Sequence, residues 1–198
     1  MRIVLRGGLE IEDPLATTIR FVEAYPAYDA RDSRPNRFDE SDLRHANRGG
    51  ARISAAQIAA IVERRSRIER ALRSIAPDAS LAEASIPWPS LTRLFDAFAE
   101  ISGIGFSKMT KALHKKRPAL IPMLDSVVQE YLTGDEPEVA SSGTFGERAT
   151  ALVRSYKRDL DRNRSALRRI QLELASRGHR VTEVRILDLL IWSVSVEG

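Results

Sequence analysis

The chain has 198 residues, 43% of them hydrophobic and 29% charged, with a net charge of +4. That length suits one domain with its own core, and the composition is that of an ordinary soluble globular protein. The absence of cysteine excludes disulfides, thiolate zinc sites and cysteine-ligated iron–sulfur clusters, and three scattered histidines (His45, His114, His179) argue against a histidine metal site.

No phosphate-binding P-loop, dinucleotide fingerprint, His-Glu-x-x-His motif or Gly-x-Ser-x-Gly elbow occurs, so no cofactor is expected. No apolar run approaches the roughly 20 residues that span a bilayer, and the first residues lack a signal peptide's apolar region. The expectation is a cytoplasmic protein without a membrane partner.

The pattern along the chain is all-α. Residues 2–12 alternate weakly around Gly7-Gly8 and predict a small hairpin or an irregular arm. Asp13-Pro14 is an N-cap with proline at the first helical position, predicting a helix to about Ala24. Residues 26–37 read as a loop, in which Tyr25, Tyr28 and Arg31 are candidates to reach a ligand, with surface packing as the plainer alternative. Short helices follow over about 39–47, 54–62 (capped by Ser54) and 65–75. A linker over 76–89 ends in Pro87-Trp88-Pro89, and Ser90 is expected to cap a helix over 91–101 whose Leu91, Leu94, Phe95 and Phe98 share a face. Trp88 reads as packed under the linker, with base stacking as the sharper alternative.

A second helix over about 107–116 ends before Pro118, and Pro122 and Asp125 introduce another to about Leu132. From about 145 to 177, Leu152, Tyr156, Leu160, Asn163, Leu167, Ile170 and Leu174 recur at helical spacing, with a possible break at Asp161-Arg162-Asn163. That long basic helix carries Arg154, Arg158, Arg162, Arg164, Arg168 and Arg169, a second cationic surface or a routine solvated face. Gly178 ends it as a C′ glycine. A last helix over about 183–195 is apolar nearly all round and is expected in the core, Trp192 included. The reading is one helical domain over 1–198.

Its most informative stretch is Ile101-Ser102-Gly103-Ile104-Gly105-Phe106-Ser107-Lys108. An apolar-x-Gly-apolar-Gly turn between helices is the pattern of a helix-hairpin-helix, here over about 90–117. Glycine lets the main chain turn tightly, and the second helix offers free amides and its positive dipole end to a phosphate. Four of the five lysines (Lys108, Lys111, Lys115, Lys116) gather here with Arg117, and no acid occurs between Ile101 and Leu124. Lys108 and Lys111, near the helix start, are the phosphate candidates. Lys115, Lys116 and Arg117 lie where cations also complement the negative dipole end. His114 reads as a surface or boundary residue.

Residues 101–131 resemble the core of the helix-hairpin-helix superfamily of DNA glycosylases. In that family an essential aspartate follows the second glycine by about twenty residues, and Ile121-Pro122-Met123-Leu124-Asp125-Ser126-Val127-Val128 stands at that place. The resemblance implies that Asp125 stabilises positive charge developing at a sugar carbon, or activates the nucleophile, while the base leaves. It departs from the family where bifunctional members carry a catalytic lysine, here Ser107, and where Met109 replaces a usual alanine. A monofunctional or degenerate relative is therefore implied. The whole chain also resembles an uncharacterised bacterial family of about this length, through residues 115–128 and the closing Arg185-Ile186-Leu187-Asp188-Leu189-Leu190-Ile191-Trp192.

The leading expectation is a protein that grips duplex DNA through Gly103, Ile104, Gly105, Phe106, Ser107, Lys108 and Lys111, with Asp125 as the candidate catalytic residue. Asp125 has a plainer reading as a helix N-cap, which the residues favour over the catalytic one and which is compatible with it. The competing class is a non-enzymatic adaptor or protein-interaction domain whose hairpin is purely structural.

Overall fold

A computed structural model describes residues 2–24, 33–134 and 136–198 less the terminal glycine. Tyr25, Tyr28 and Arg31, candidates for ligand contact, lie outside the described residues. The chain is mostly helical, with nine α-helices and one two-stranded sheet among the described residues.

The N-terminal arm is a minimal antiparallel hairpin, β1 (Ile3–Val4) and β2 (Glu10–Ile11), with Ile3 opposite Ile11. A helix, α1 (Pro14–Ala24), follows, with Asp13 Oδ1 accepting the Ala16 amide at 3.1 Å. Then come α2 (Glu40–Arg48), α3 (Ala55–Glu63), α4 (Arg65–Arg73) and α5 (Trp88–Asp96). The second half holds α6 (Phe106–His114), α7 (Ser126–Gly134), α8 (Phe145–Ser176) and α9 (Glu183–Glu197).

Cap chemistry sets many of these boundaries. Asp39 with Asp42, Ser54 with Gln57, and Thr144 with Glu147 each form a reciprocal capping box at the start of α2, α3 and α8. At the other end of α8, Gly178 adopts φ +87. Its amide donates to the Ala175 carbonyl at 3.0 Å and the His179 amide to Leu174 at 2.9 Å, the paired bonds of a Schellman stop.

The long helix α8 is the spine. Its 32 residues run unbroken through Asp161-Arg162-Asn163, for about 48 Å at 1.5 Å per residue. Leu152, Tyr156, Leu160, Asn163, Leu167, Ile170 and Leu174 are all buried, so the stripe faces the protein's own core. Asn163 was chosen for this place by its amide: Oδ1 accepts the Val4 amide and Nδ2 donates to the Val4 carbonyl, both at 2.9 Å. The arm is fixed further by Arg6, which pairs with the buried Asp159 at 2.7 Å. Helices α5 and α9 pack along α8, α1 and α7 pack on α9, and α2 packs on α6. Gly146 permits the α5–α8 contact, because a Cβ there would lie 2.3 Å from the Thr92 carbonyl oxygen.

Three local expectations are corrected. Helix α5 begins at Trp88 with Pro87 as its N-cap residue, so Ser90 lies inside the first turn, where its hydroxyl accepts from Arg93. It stops at Asp96, and residues 97–100 are turn. Proline at the second helical position tolerates this early start, since it has no amide to lose there. His114 is 2% exposed, its Nδ1 2.7 Å from the Ile121 carbonyl oxygen. Trp192 is only half-buried and faces a pocket rather than the core.

The cationic end of α6 is internal. Arg117 is fully buried and donates to the carbonyls of Leu72, Ile75, Pro35 and Lys116 and to Asn36 Oδ1. Burial pulls its guanidinium below the usual arginine range, partly offset by the Asp78 charge. Lys116, 2% exposed, pairs with Asp42 at 2.7 Å. These two cations are structural ties between α6 and the preceding helices.

Candidate functional site

The glycine turn joins α5 to α6. Ile101 and Ile104 are buried, and the Ile104 amide donates to the Ile101 carbonyl at 3.0 Å, closing the turn over Gly103 at φ +72. The alternation of apolar residue and glycine thus has a simple cause: the isoleucines anchor the turn and the glycines are its exposed part. Gly105 is the N-cap residue of α6 and has no side chain to accept the amides of the first turn. Ser107 and Lys108 are half-buried and Met109 is buried. Phe106 turns inward, its ring 4.9 Å from that of Phe145, with the Arg148 guanidinium 5.6 Å above it.

Gln57, from the first turn of α3, spans this hairpin. Its Nε2 donates to the Ser102 carbonyl at 3.2 Å and its Oε1 accepts from Lys108 Nζ at 2.8 Å. A Cβ on Gly103 would stand 2.4 Å from Gln57 Nε2, whereas one on Gly105 would meet nothing within 4 Å. Gly103 therefore has an internal reason to be glycine. Gly105, at φ −98, has none.

The twenty-residue spacing from Gly105 to Asp125 also has a structural cause. After α6, the chain doubles back along that helix as an extended strap. His114 Nδ1 meets the Ile121 carbonyl, and the Thr110 hydroxyl accepts the Leu124 amide at 3.0 Å. One more residue brings Asp125 level with Lys111, and their charged groups are 3.7 Å apart.

Asp125 is used on both oxygens. Oδ1 accepts the Val128 amide at 3.1 Å, capping α7, and Oδ2 accepts the Trp192 indole N–H at 3.2 Å as well as facing Lys111. The side chain still borders a pocket of about 340 Å³. The Trp192 ring forms one wall, with Phe21 edge-on to it at 6.4 Å. Lys111 from α6 and Arg185 from α9 line it too, as do Arg48, the last residue of α2, and Gly49 and Gly50 from the loop that follows. This volume lies in the range of small-ligand sites.

A second carboxyl, Asp188, lines the same pocket one helical turn before Trp192. It is 3% exposed; Oδ2 accepts the Met123 amide at 3.2 Å, and Oδ1 finds no hydrogen-bond partner among the described residues. Burial pushes its pKa up to about 8, against the opposing pull of Arg185. The neighbouring Tyr156 hydroxyl donates to the Val184 carbonyl at 2.6 Å. Burial, and next to it the Asp188 charge, raises that phenol well above its ordinary value.

Elsewhere four of the six predicted arginines of α8 are engaged. Arg154 stacks on Trp88 at 4.2 Å, Arg158 pairs with Glu136, Arg162 with Asp159 at 3.2 Å and Arg168 with Glu183 at 3.7 Å. A shallow groove of about 730 Å³ contains Arg164 and Arg168, but Glu183 stands among them. Among the described residues no group of three histidines or carboxylates could hold a metal ion, and no helix is long and apolar enough to cross a membrane.

Three contributors to the site stand outside the sequence expectations. Asp188 left a signal, the one acid inside the apolar run from Ile186 to Val194. Gln57 and the Arg48-Gly49-Gly50 loop left none, because each is brought to the site by tertiary packing.

The model of DUF6308, a family of unknown function, matches residues 12–195. The chain belongs to this family. No curated protein and no solved structure matches it. DUF6308 membership spans the hairpin, the strap and α9 together, so the pocket is assembled wholly within the matched region. Nothing in these comparisons carries a likeness to DNA glycosylases, and that resemblance rests on residues 101–131 alone.

Proposed function

We propose that this protein grips the backbone of duplex DNA at the α5–α6 hairpin and receives an everted nucleotide in the pocket bordered by Asp125, as a monofunctional or degenerate glycosylase-like protein would. The observation that carries this reading is the shared placement of the two parts on α6. Its uncapped first turn follows the exposed Gly105, and Lys111 meets Asp125 in the pocket. Gly105 and Lys111 are six residues apart, about 9 Å along a helix axis. A phosphate held by the first-turn amides and by Lys108 would leave the adjoining sugar within reach of the pocket. Trp192 and Phe21 offer aromatic surface to a base taken out of the stack.

In the catalytic form of this reading, the Asp125 carboxylate faces the anomeric carbon as the bond to the base breaks. The bonding pair leaves with the base and positive charge develops on the sugar; a water oxygen then bonds to that carbon, and the proton it sheds ends on the departed base. Ser107 occupies the place of a lyase lysine, so no covalent amine intermediate forms.

The second reading, a non-enzymatic protein with a structural hairpin, is favoured by one observation: Gln57 already occupies Ser102 and Lys108. Lys108→Glu separates the two. Measured by equilibrium binding to plain duplex and to duplex carrying an abasic analogue, this variant loses affinity for both if the hairpin touches phosphate. Unchanged affinity assigns the hairpin to structure.

A further inference from the structure

We propose that the end of α2 and the loop joining it to α3 form a second phosphate-contacting element of the same face, in which Arg48 and Arg52 each engage the duplex backbone beside the pocket. This inference rests on the DNA-binding reading above and adds the flank of the interface that the hairpin does not supply.

The loop belongs to the site by position. Arg48, Gly49 and Gly50 line the pocket together with Lys111 and Asp125. Both arginines are exposed, and neither has a hydrogen bond or ion pair among the described residues. The sequence holds no Asp or Glu between Asp42 and Glu63, so no acid on this stretch competes for them.

The loop is also pinned by its own contacts, which a mere connector need not be. The Asn47 side chain clamps both backbone groups of Ile53, accepting its amide at 2.6 Å and donating to its carbonyl at 2.9 Å. Ala51 and Ile53 are buried, and the Ala51 amide donates to the Ala46 carbonyl at 3.1 Å. Within this frame Arg52 is held at φ 54, in the left-handed region that strains a non-glycine residue. The other described non-glycine residue with positive φ is Glu100, at the entrance to the hairpin turn. Glycine would relieve the strain at 52, yet the chain carries a long cation whose side chain the fold does not use.

The loop and hairpin are joined. Residue 53 leads into Ser54 and Gln57, which cap each other at the start of α3, and Gln57 holds Ser102 and Lys108. Two cationic elements are thereby fixed at a set separation, as a backbone clamp requires. Arginine suits the task because its guanidinium presents paired donors to phosphate oxygens.

The test compares wild type, Arg52→Gly, Arg52→Lys and the double variant Arg48→Ala/Arg52→Gly for duplex affinity over a salt series, with thermal melting in parallel. The expected result is that Arg52→Gly melts at or above the wild-type temperature while binding DNA more weakly. The double variant should lower the slope of log K against log salt by about 2, and Arg52→Lys should keep it. A double variant with wild-type affinity and slope, in a protein whose Lys108→Glu variant has lost binding, overturns the loop assignment and leaves the hairpin reading standing. Absence of duplex binding by wild type overturns both.

Discussion

Gln57 Oε1 accepts a hydrogen bond from Lys108 Nζ at 2.8 Å, joining residues 51 positions apart across the mouth of the hairpin. The same amide reaches the Ser102 carbonyl, so the turn is held from outside by α3. The two glycines of the turn consequently have different reasons to be glycine, and substitution separates them.

Gly103→Ala places a Cβ against Gln57 and forces alanine to φ +72, so it should lower stability by about 1–2 kcal/mol. Gly105→Ala meets no atom within 4 Å and an ordinary φ, so stability should hold or rise slightly. If the main chain at Gly105 lies close to a DNA backbone, the same change weakens binding. Thermal melts and duplex titrations of the two variants make the comparison, and a Gly105→Ala protein with full affinity would count against that close approach.

Asp125 has a structural and a proposed chemical role. Asparagine keeps one acceptor oxygen, enough for the Val128 amide, but turns an NH2 donor toward the Trp192 indole N–H and Lys111, so Asp125→Asn should keep the cap and melt modestly below wild type. Asp125→Ala loses the cap and should be less stable by about 1 kcal/mol. Under the catalytic form of the proposal both variants lose base release while Asp125→Asn keeps DNA affinity. Release of base at the wild-type rate by Asp125→Asn would remove the carboxylate from the chemistry.

Much of this was legible in the chain. Seven residues of the α8 stripe, the Asp13, Ser54 and Asp125 caps and the Gly178 stop are local signals, and local signals survive folding. Ser90 misled because a proline-led start is available two residues earlier, at Trp88, whose ring also packs under Arg154. The lysine cluster was visible but not its division: Lys116 and Arg117 are internal ties, Lys111 faces Asp125 and Lys108 faces Gln57. Composition cannot distribute those partners, since each arrives from a distant part of the chain.

Asp188 gives the protein a pH-dependent stability of defined sign. Its folded pKa is about 8 because burial disfavours the charge, while the unfolded value is about 3.9. Between these values the folded state binds the extra proton, so stability falls as pH rises from about 4 to about 8. The contribution is on the order of a few kcal/mol across that window. Asp188→Asn should flatten this part of the curve, as chemical denaturation at a series of pH values would show. An unchanged slope in the variant would mean that another group sets it.

Gly146→Ala tests the spine. Its Cβ would fall 2.3 Å from the Thr92 carbonyl oxygen and 2.6 Å from Asp96 Cγ, both on α5. Backbone cannot yield as a side chain end can, so α5 must shift from α8, at a cost of about 1–3 kcal/mol. Because α5 leads into the hairpin, the melt should be accompanied by weaker DNA binding. A variant as stable as wild type would show that the two helices are less closely coupled than their contact implies.

Contact between this protein and a nucleic-acid backbone underlies both the hairpin and the loop assignments. The most direct test is fluorescence anisotropy of the wild-type protein with plain duplex and with duplex carrying an abasic-site analogue, from low to physiological salt. Binding that weakens steeply and linearly in log–log form as salt rises, and that is tighter for the abasic duplex, is the predicted result. No binding to either duplex at low salt would contradict the claim and assign the hairpin to the scaffold.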